Sequence, residues 1–272
     1  MHCYFVLAGD STLPVLYHVE HVREGKSFAT RTVQARQRGK PIFTTTLSFM
    51  REGSGGEKTV NHNVPIPEGI VPPVEDRDPS YMDSDRMNGG SPFESRRIEI
   101  LNSDSPDPHT KRTRQWIRAR GQISDAGGHE AHLSALAYMS DSYFIGTISR
   151  IHNLWRFGPL NPSGGYSEAE IAARKKRIQE EGFGGDYENK KGRPVVGMMV
   201  SLDHSIYFHE PRAFRADEWI FTEMESPWAG DGRGVVSQKM WARDGRLIAT
   251  CFQEGVMRLK PDGKEKDGGP KL

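Results

Sequence analysis

The feature that most constrains this chain is an internal likeness: its first and last stretches read as the same β-meander. Four strand-like segments open the chain, over 3–7, 15–22, 28–36 and 42–50. They are rich in β-branched and aromatic residues, and the breaks between them hold Gly9-Asp10, Glu24-Gly25 and Gly39. Four more close it, over 197–209, 217–226, 233–243 and 246–258. Gly39-Lys40-Pro41-Ile42 falls beside Gly245-Arg246-Leu247-Ile248, and Tyr4-Phe5 beside Tyr207-Phe208, so the segments match in order and spacing. Duplication explains this better than chance, although meanders look alike.

The copies differ in what precedes them. Before the second lie an alternating strand over 116–123 and a helix over 130–145. The helix is read from Leu133, Leu136, Ala137, Ser140 and Asp141, which recur at helical spacing. Nothing corresponding precedes the first copy, so the first unit is expected to lack its opening strand and helix. The expected fold class is α+β, with antiparallel sheet wrapped on a central helix. The organisation expected is a truncated first unit over 1–52, a Gly- and Pro-rich linker over 53–96, a second unit over 97–260 with an insertion at 150–195, and a polar tail over 261–272. Without a covering helix, the first sheet should leave Phe43, Leu47 and Phe49 or their strand neighbours uncovered. Within the insertion, Ser167 and Glu170 form a capping box and Gly182 is a stop, which predicts an exposed helix over 167–181. That helix is either a lid near a pocket mouth or a solvated insertion.

Composition narrows the function. Lys and Arg number 37 against 36 Asp and Glu, a net charge of +1, which argues against nucleic acid as the main partner. No apolar run approaches the roughly 18 residues of a membrane span. The two cysteines, Cys3 and Cys251, make neither a disulfide framework nor a zinc site, and His18, His21, His62 and His132 lack metal-ligand spacing. No metal or cofactor is expected. Gly53, Gly55, Gly56, Gly89 and Gly90 open no helix and are poor phosphate cradles.

Three places look uncomfortable on physical grounds. Helical spacing puts Asp141 on the face of Leu133 and Leu136, where an unpaired carboxylate would be costly or protonated. It is either an N-cap for a turn starting at Asp141-Ser142 or part of a site. Ser201, Asp203, His204, Ser205 and His209 crowd one strand-like segment. Adjacent strand residues point to opposite faces, so a hydrolytic triad is disfavoured and a solvated or interface edge is the plainer reading. Gln253 interrupts an apolar strand on the inner face, aligned with Leu47 of the first copy. It is either a buried amide satisfied by backbone or the one polar group of a cavity that exists once.

These same places carry a resemblance. LSALAYMSD (133–141), SLDHSIYFHEP (201–211) and CFQEGVMR (251–258) resemble the signature blocks of the acyl-CoA thioesterase II family, and HCYFVLAGD with VREGKSFATRTV resembles the corresponding stretch of its first half. The resemblance covers about residues 1–52 and 97–260. It implies a double hotdog fold and hydrolysis of acyl-CoA to free fatty acid and CoA. It also implies a water held by an Asp, a Ser or Thr, and a Gln, which are Asp141, Ser201 and Gln253 here. Members often carry Thr where Ser201 stands, and normally several dozen residues ahead of the position matching Met1. Oxyanion donors are expected from backbone N–H groups around Gly127 to Glu130. The alternative is a catalytically impaired acyl-CoA-binding hotdog protein or fragment; a hotdog dehydratase is disfavoured because no His accompanies Asp141 on the helix face.

The resemblance further implies an acyl-CoA substrate and a homo-oligomer. The ending Pro270-Lys271-Leu272 resembles the peroxisomal tripeptide Ser-Lys-Leu, with Pro270 in place of the small residue. Peroxisomal location through an import receptor is therefore expected, with the cytoplasm as the alternative.

Overall fold

The computed structural model describes residues 1–74, 92–156, 167–180 and 192–261. The turn residues that punctuate the sequence do close hairpins: Gly39 at φ 75° ends one strand and starts the next, and Gly245 at φ 86° does the same in the second copy. In the first copy the strands are β1 (His2–Phe5), β2 (Leu16–Glu24), β3 (Phe28–Gln37) and β4 (Lys40–Met50). Then follow β5 (Phe93–Leu101) and β6 (Arg112–Ala119) and, among the described residues, the α-helices α1 (Gly128–Met139), α2 (Gly146–Ile151) and α3 (Glu168–Glu180). The second meander comprises β7 (Val196–Ser201), β8 (Asp203–Phe208), β9 (Ile220–Gly230), β10 (Arg233–Trp241) and β11 (Leu247–Leu259).

Among the described residues these strands form one sheet, in the order β2-β3-β4-β1-β8-β11-β10-β9-β6-β5, with β7 also paired to β11. The order β1-β4-β3-β2 on one side repeats as β8-β11-β10-β9 on the other, which is the arrangement expected of two copies of one unit. They meet at an antiparallel seam where His2 faces Ser205, Cys3 faces His204 and Tyr4 faces Asp203.

The two halves are covered differently. In the second, alternation sends Ile117, Ile220 and Met240 to one face, where they bury against Leu136 and Met139 of α1 and Phe144, Ile145 and Ile148 beyond it. Trp116, Phe221 and Trp241 go to the other face and form an aromatic cluster with Trp219. That face is roofed by the stretch read as a bare linker: Ile66 and Ile70 pack on the cluster, and the Trp241 indole donates to the Val64 carbonyl at 2.9 Å. Strand β5 also begins at Phe93, ahead of the expected end of the linker. In the first half every residue of β2 is exposed, as are Phe5, Phe28, Phe49 and Met50, while Phe43 and Leu47 are half-buried.

Helix α1 ends earlier than the apolar spacing predicts. Phe144, Ile145 and Ile148 continue the apolar spacing, but Tyr143 takes a left-handed conformation, φ 57°, so the chain turns over 140–145 before α2 begins. Helix α3 has the predicted capping box: the Ser167 N–H donates to Glu170 Oε2 at 2.8 Å and the Glu170 N–H to Ser167 Oγ at 3.3 Å. Gly182 lies outside the described residues.

Gly255 on β11 and Gly234 on β10 stand directly opposite each other. A Cβ at Gly255 would lie 2.5 Å from Ile145 Cγ1 and 2.9 Å from the Val200 carbonyl, and one at Gly234 would lie 2.4 Å from Ile148 Cδ1. The bare pair lets the turn after α1 rest directly on the sheet.

Candidate active site

The site forms where that turn meets β11. Asp141 sits in the turn, past the end of α1, and not on the helix face as its spacing suggested. Among the described residues its side chain caps no turn. Gln253 Nε2 instead donates to Asp141 Oδ1 at 2.5 Å, across 112 residues of sequence. Gln253 points inward from β11 and is 1% exposed. Its carbonyl oxygen, Oε1, is buried and has no hydrogen-bond partner among the described residues. Asp141 keeps one flank in solvent, yet its carboxyl end is crowded enough that desolvation raises its pKa above the ordinary carboxylate value, with the Gln253 bond partly opposing.

Ser201 ends β7 and pairs with Gly255, so it shares the inner face of β11 with Gln253, two positions away. The segment expected as one strand over 197–209 is broken at Leu202. The Leu202 N–H bonds the Glu254 carbonyl at 2.9 Å, and the Glu254 N–H goes to the Asp203 carboxylate at 2.6 Å. This irregularity shifts the alternation by one residue. Ser201 and His204 thereby both face inward, whereas an unbroken strand would have put them on opposite faces.

His204, which the sequence places in the polar run over 201–209 without a role of its own, lies beside these groups. It is 3% exposed, far from a solvated edge, and burial chiefly pushes its pKa down to about 4. Its Nε2 lies 2.9 Å from Ser140 Oγ and its Nδ1 3.5 Å from Gln253 Nε2. The helix face does lack a histidine; this one arrives from the sheet. The expected oxyanion donors lie apart from Asp141 within the chain. Asp141 follows the C-terminal end of α1, and Gly127 to Glu130 lie at its other end, roughly 18 Å away for a helix of this length.

Comparison with known proteins gives the family and the fold. The family model described as the acyl-CoA thioesterase C-terminal domain matches residues 70–257, and the corresponding N-terminal domain model matches residues 1–50. Acyl-coenzyme A thioesterase 8 of Homo sapiens is 36% identical over 282 residues, which span 97% of this chain and 74% of the relative. The chain belongs to the acyl-CoA thioesterase II family. Among solved structures, acyl-CoA thioesterase II TesB2 from Mycobacterium marinum superposes with a TM-score of 0.64 at 28% identity, covering 97% of this chain and 80% of that one. The fold is the double hotdog of this thioesterase family, as the resemblance implied. The peroxisomal acyl-coenzyme A thioester hydrolase 1 of Saccharomyces cerevisiae is 24% identical over 321 residues, covering 98% of this chain and 80% of that protein. Within this thioesterase family fold, Asp141 and Gln253 come together, Ser201 lies on the same face, and His204 stands behind them.

Proposed function

We propose that the protein hydrolyses acyl-CoA thioesters to free fatty acid and CoA, using a water activated by Asp141 and held by Ser201 and Gln253. The observation that supports this most is the Gln253–Asp141 hydrogen bond, made by a buried amide whose own carbonyl is unpaired among the described residues. A buried carbonyl without a partner is costly, which suits it to accept a water O–H. Asp141 takes the water's proton as the oxygen adds to the thioester carbonyl carbon. The tetrahedral intermediate then expels the CoA thiolate by breaking the C–S bond, and Asp141 returns the proton to sulfur. A carboxyl held above its usual pKa is a stronger base once ionised, which favours the first of these steps.

Release of free thiol from a long-chain acyl-CoA, followed with a thiol reagent, tests the reading. Steady release is expected from the wild type. Ser201→Thr, which keeps the hydroxyl, should exceed Ser201→Ala in kcat by about tenfold or more. Equal rates would leave the hydroxyl without a role, and a folded wild type that binds acyl-CoA without releasing thiol would favour the binding-protein alternative.

Peroxisomal location is the second part of the proposal, supported by the yeast relative. The 270–272 tripeptide lies outside the described residues. A fluorescent fusion that leaves Pro270-Lys271-Leu272 free should give punctate signal in peroxisomes, lost on removal of Leu272. Diffuse signal from both versions would sink it.

A further inference from the structure

His204 is buried, neutral and absent from the reaction scheme above, and one assignment of its hydrogen bonds matches each donor with an acceptor while Asp141 is ionised. The Ser140 hydroxyl carries a single proton and donates it to the Ala137 carbonyl at 2.8 Å. With that proton on the carbonyl, Ser140 Oγ, which also contacts the Cys251 thiol, accepts from His204 Nε2 at 2.9 Å, and Nε2 carries the ring proton. In a neutral imidazole Nδ1 is then a bare acceptor. The group facing Nδ1 is the Gln253 amide nitrogen, at 3.5 Å, which sits at the long end of hydrogen-bond range. The two Gln253 amide protons are thus divided between Asp141 Oδ1 and His204 Nδ1, and Oε1 is turned away from both. Flipping the amide would set Oε1 against two acceptors, the carboxylate and the ring nitrogen. Phe144 holds the imidazole edge-on, with ring centroids 5.7 Å apart, and Cys3 pairs with His204 across the seam, so the ring has little room to turn.

We propose that His204 is a positioning residue: anchored by Ser140, it fixes which way the Gln253 amide faces, so that the NH2 meets Asp141 and the carbonyl is offered to the attacking water. This rests on the roles given to Asp141 and Gln253 above. Burial keeps the ring neutral through the physiological range, as the acceptor role requires.

Thiol-release kinetics on the full chain test it through two near-isosteres. His204→Gln keeps a donor near Nε2 and loses the acceptor near Nδ1. His204→Asn can place its oxygen near Nδ1 and loses the Ser140 contact. The kcat of His204→Gln should fall about tenfold or more with KM changed less than about threefold, and His204→Asn should lose less. Combined with Gln253→Ala, His204→Gln should add less than about a twofold further loss, because the two act as one unit. Independent, multiplicative losses would overturn the proposal, as would unchanged kcat in a folded His204→Gln protein. If Gln253→Ala itself costs no kcat, the water-holding reading fails; if it does and the His204 variants do not, only the positioning role fails. A measurement on the wild type needs no variant to fold: 15N NMR of labelled histidine should show His204 as the neutral Nε2–H tautomer at pH 7. The Nδ1–H tautomer, or an imidazolium, would overturn the proposal.

Discussion

Asp141→Asn is expected to lower kcat by about 100- to 10,000-fold, the range over which a positioned general base contributes. Asn keeps an oxygen for the Gln253 amide and loses only the basicity, so the fold should survive. It should also become more stable at neutral pH. The folded state raises the Asp141 pKa, so it holds the proton more tightly than the unfolded chain does. Wild-type stability therefore falls as pH rises from the ordinary carboxylate value through the raised one, and the neutral amide avoids that loss. Thermal melts above and below this window, with turnover at each pH, check both halves. The acid limb of the wild-type kcat/KM profile should lie above the usual carboxylate range. Near-wild-type turnover by a folded Asp141→Asn protein would remove water activation by this residue.

Gln253→Ala should lower kcat by about 10- to 1000-fold, with a smaller change in KM. Two losses coincide in this variant: the carbonyl proposed to orient the water, and the 2.5 Å bond to Asp141. That bond lowers the Asp141 pKa against the desolvation that raises it, so its removal should move the acid limb of kcat/KM to higher pH. Steady-state kinetics across pH would separate the effects. A rise in KM alone would make Gln253 a binding residue.

Much of this was legible in the sequence because it is local. Strand alternation, turn glycines and the capping box at Ser167 depend on neighbours a few residues apart, and they located most of the strands, the hairpin turns and α3, although the strand over 197–209 is broken at Leu202. Asp141 and Gln253 were legible as discomforts, polar groups where the pattern wanted apolar ones. Three things were not. The end of α1 depends on the left-handed Tyr143, and no apolar spacing reports a backbone angle; the spacing even continues through Ile148. The burial of His204 depends on the break at Leu202 and on β1 closing over it at the seam, a pairing some 200 residues apart in the chain. A polar run on one strand looks solvated until its covering strand is known. The stretch holding Val64, Ile66 and Ile70 is too short of apolar residues to form a core, and it needs none, because it lies on an aromatic face made by other strands.

The facing glycines on β10 and β11 bear on how this protein can be damaged. A methyl group at Gly255 would start 2.5 Å from Ile145, and relief to ordinary contact distance means lifting the turn by about 1 Å. A displacement of that size in a positioned group is enough to cost about a hundredfold in rate. Ile145 and Asp141 belong to the same turn, so the lift is passed to the carboxylate. The most conservative change available to a glycine would thus silence the enzyme with every reacting side chain still present and the melting curve only dented. Inactive variants of this chain should be sought among residues whose contribution is the space they leave unfilled.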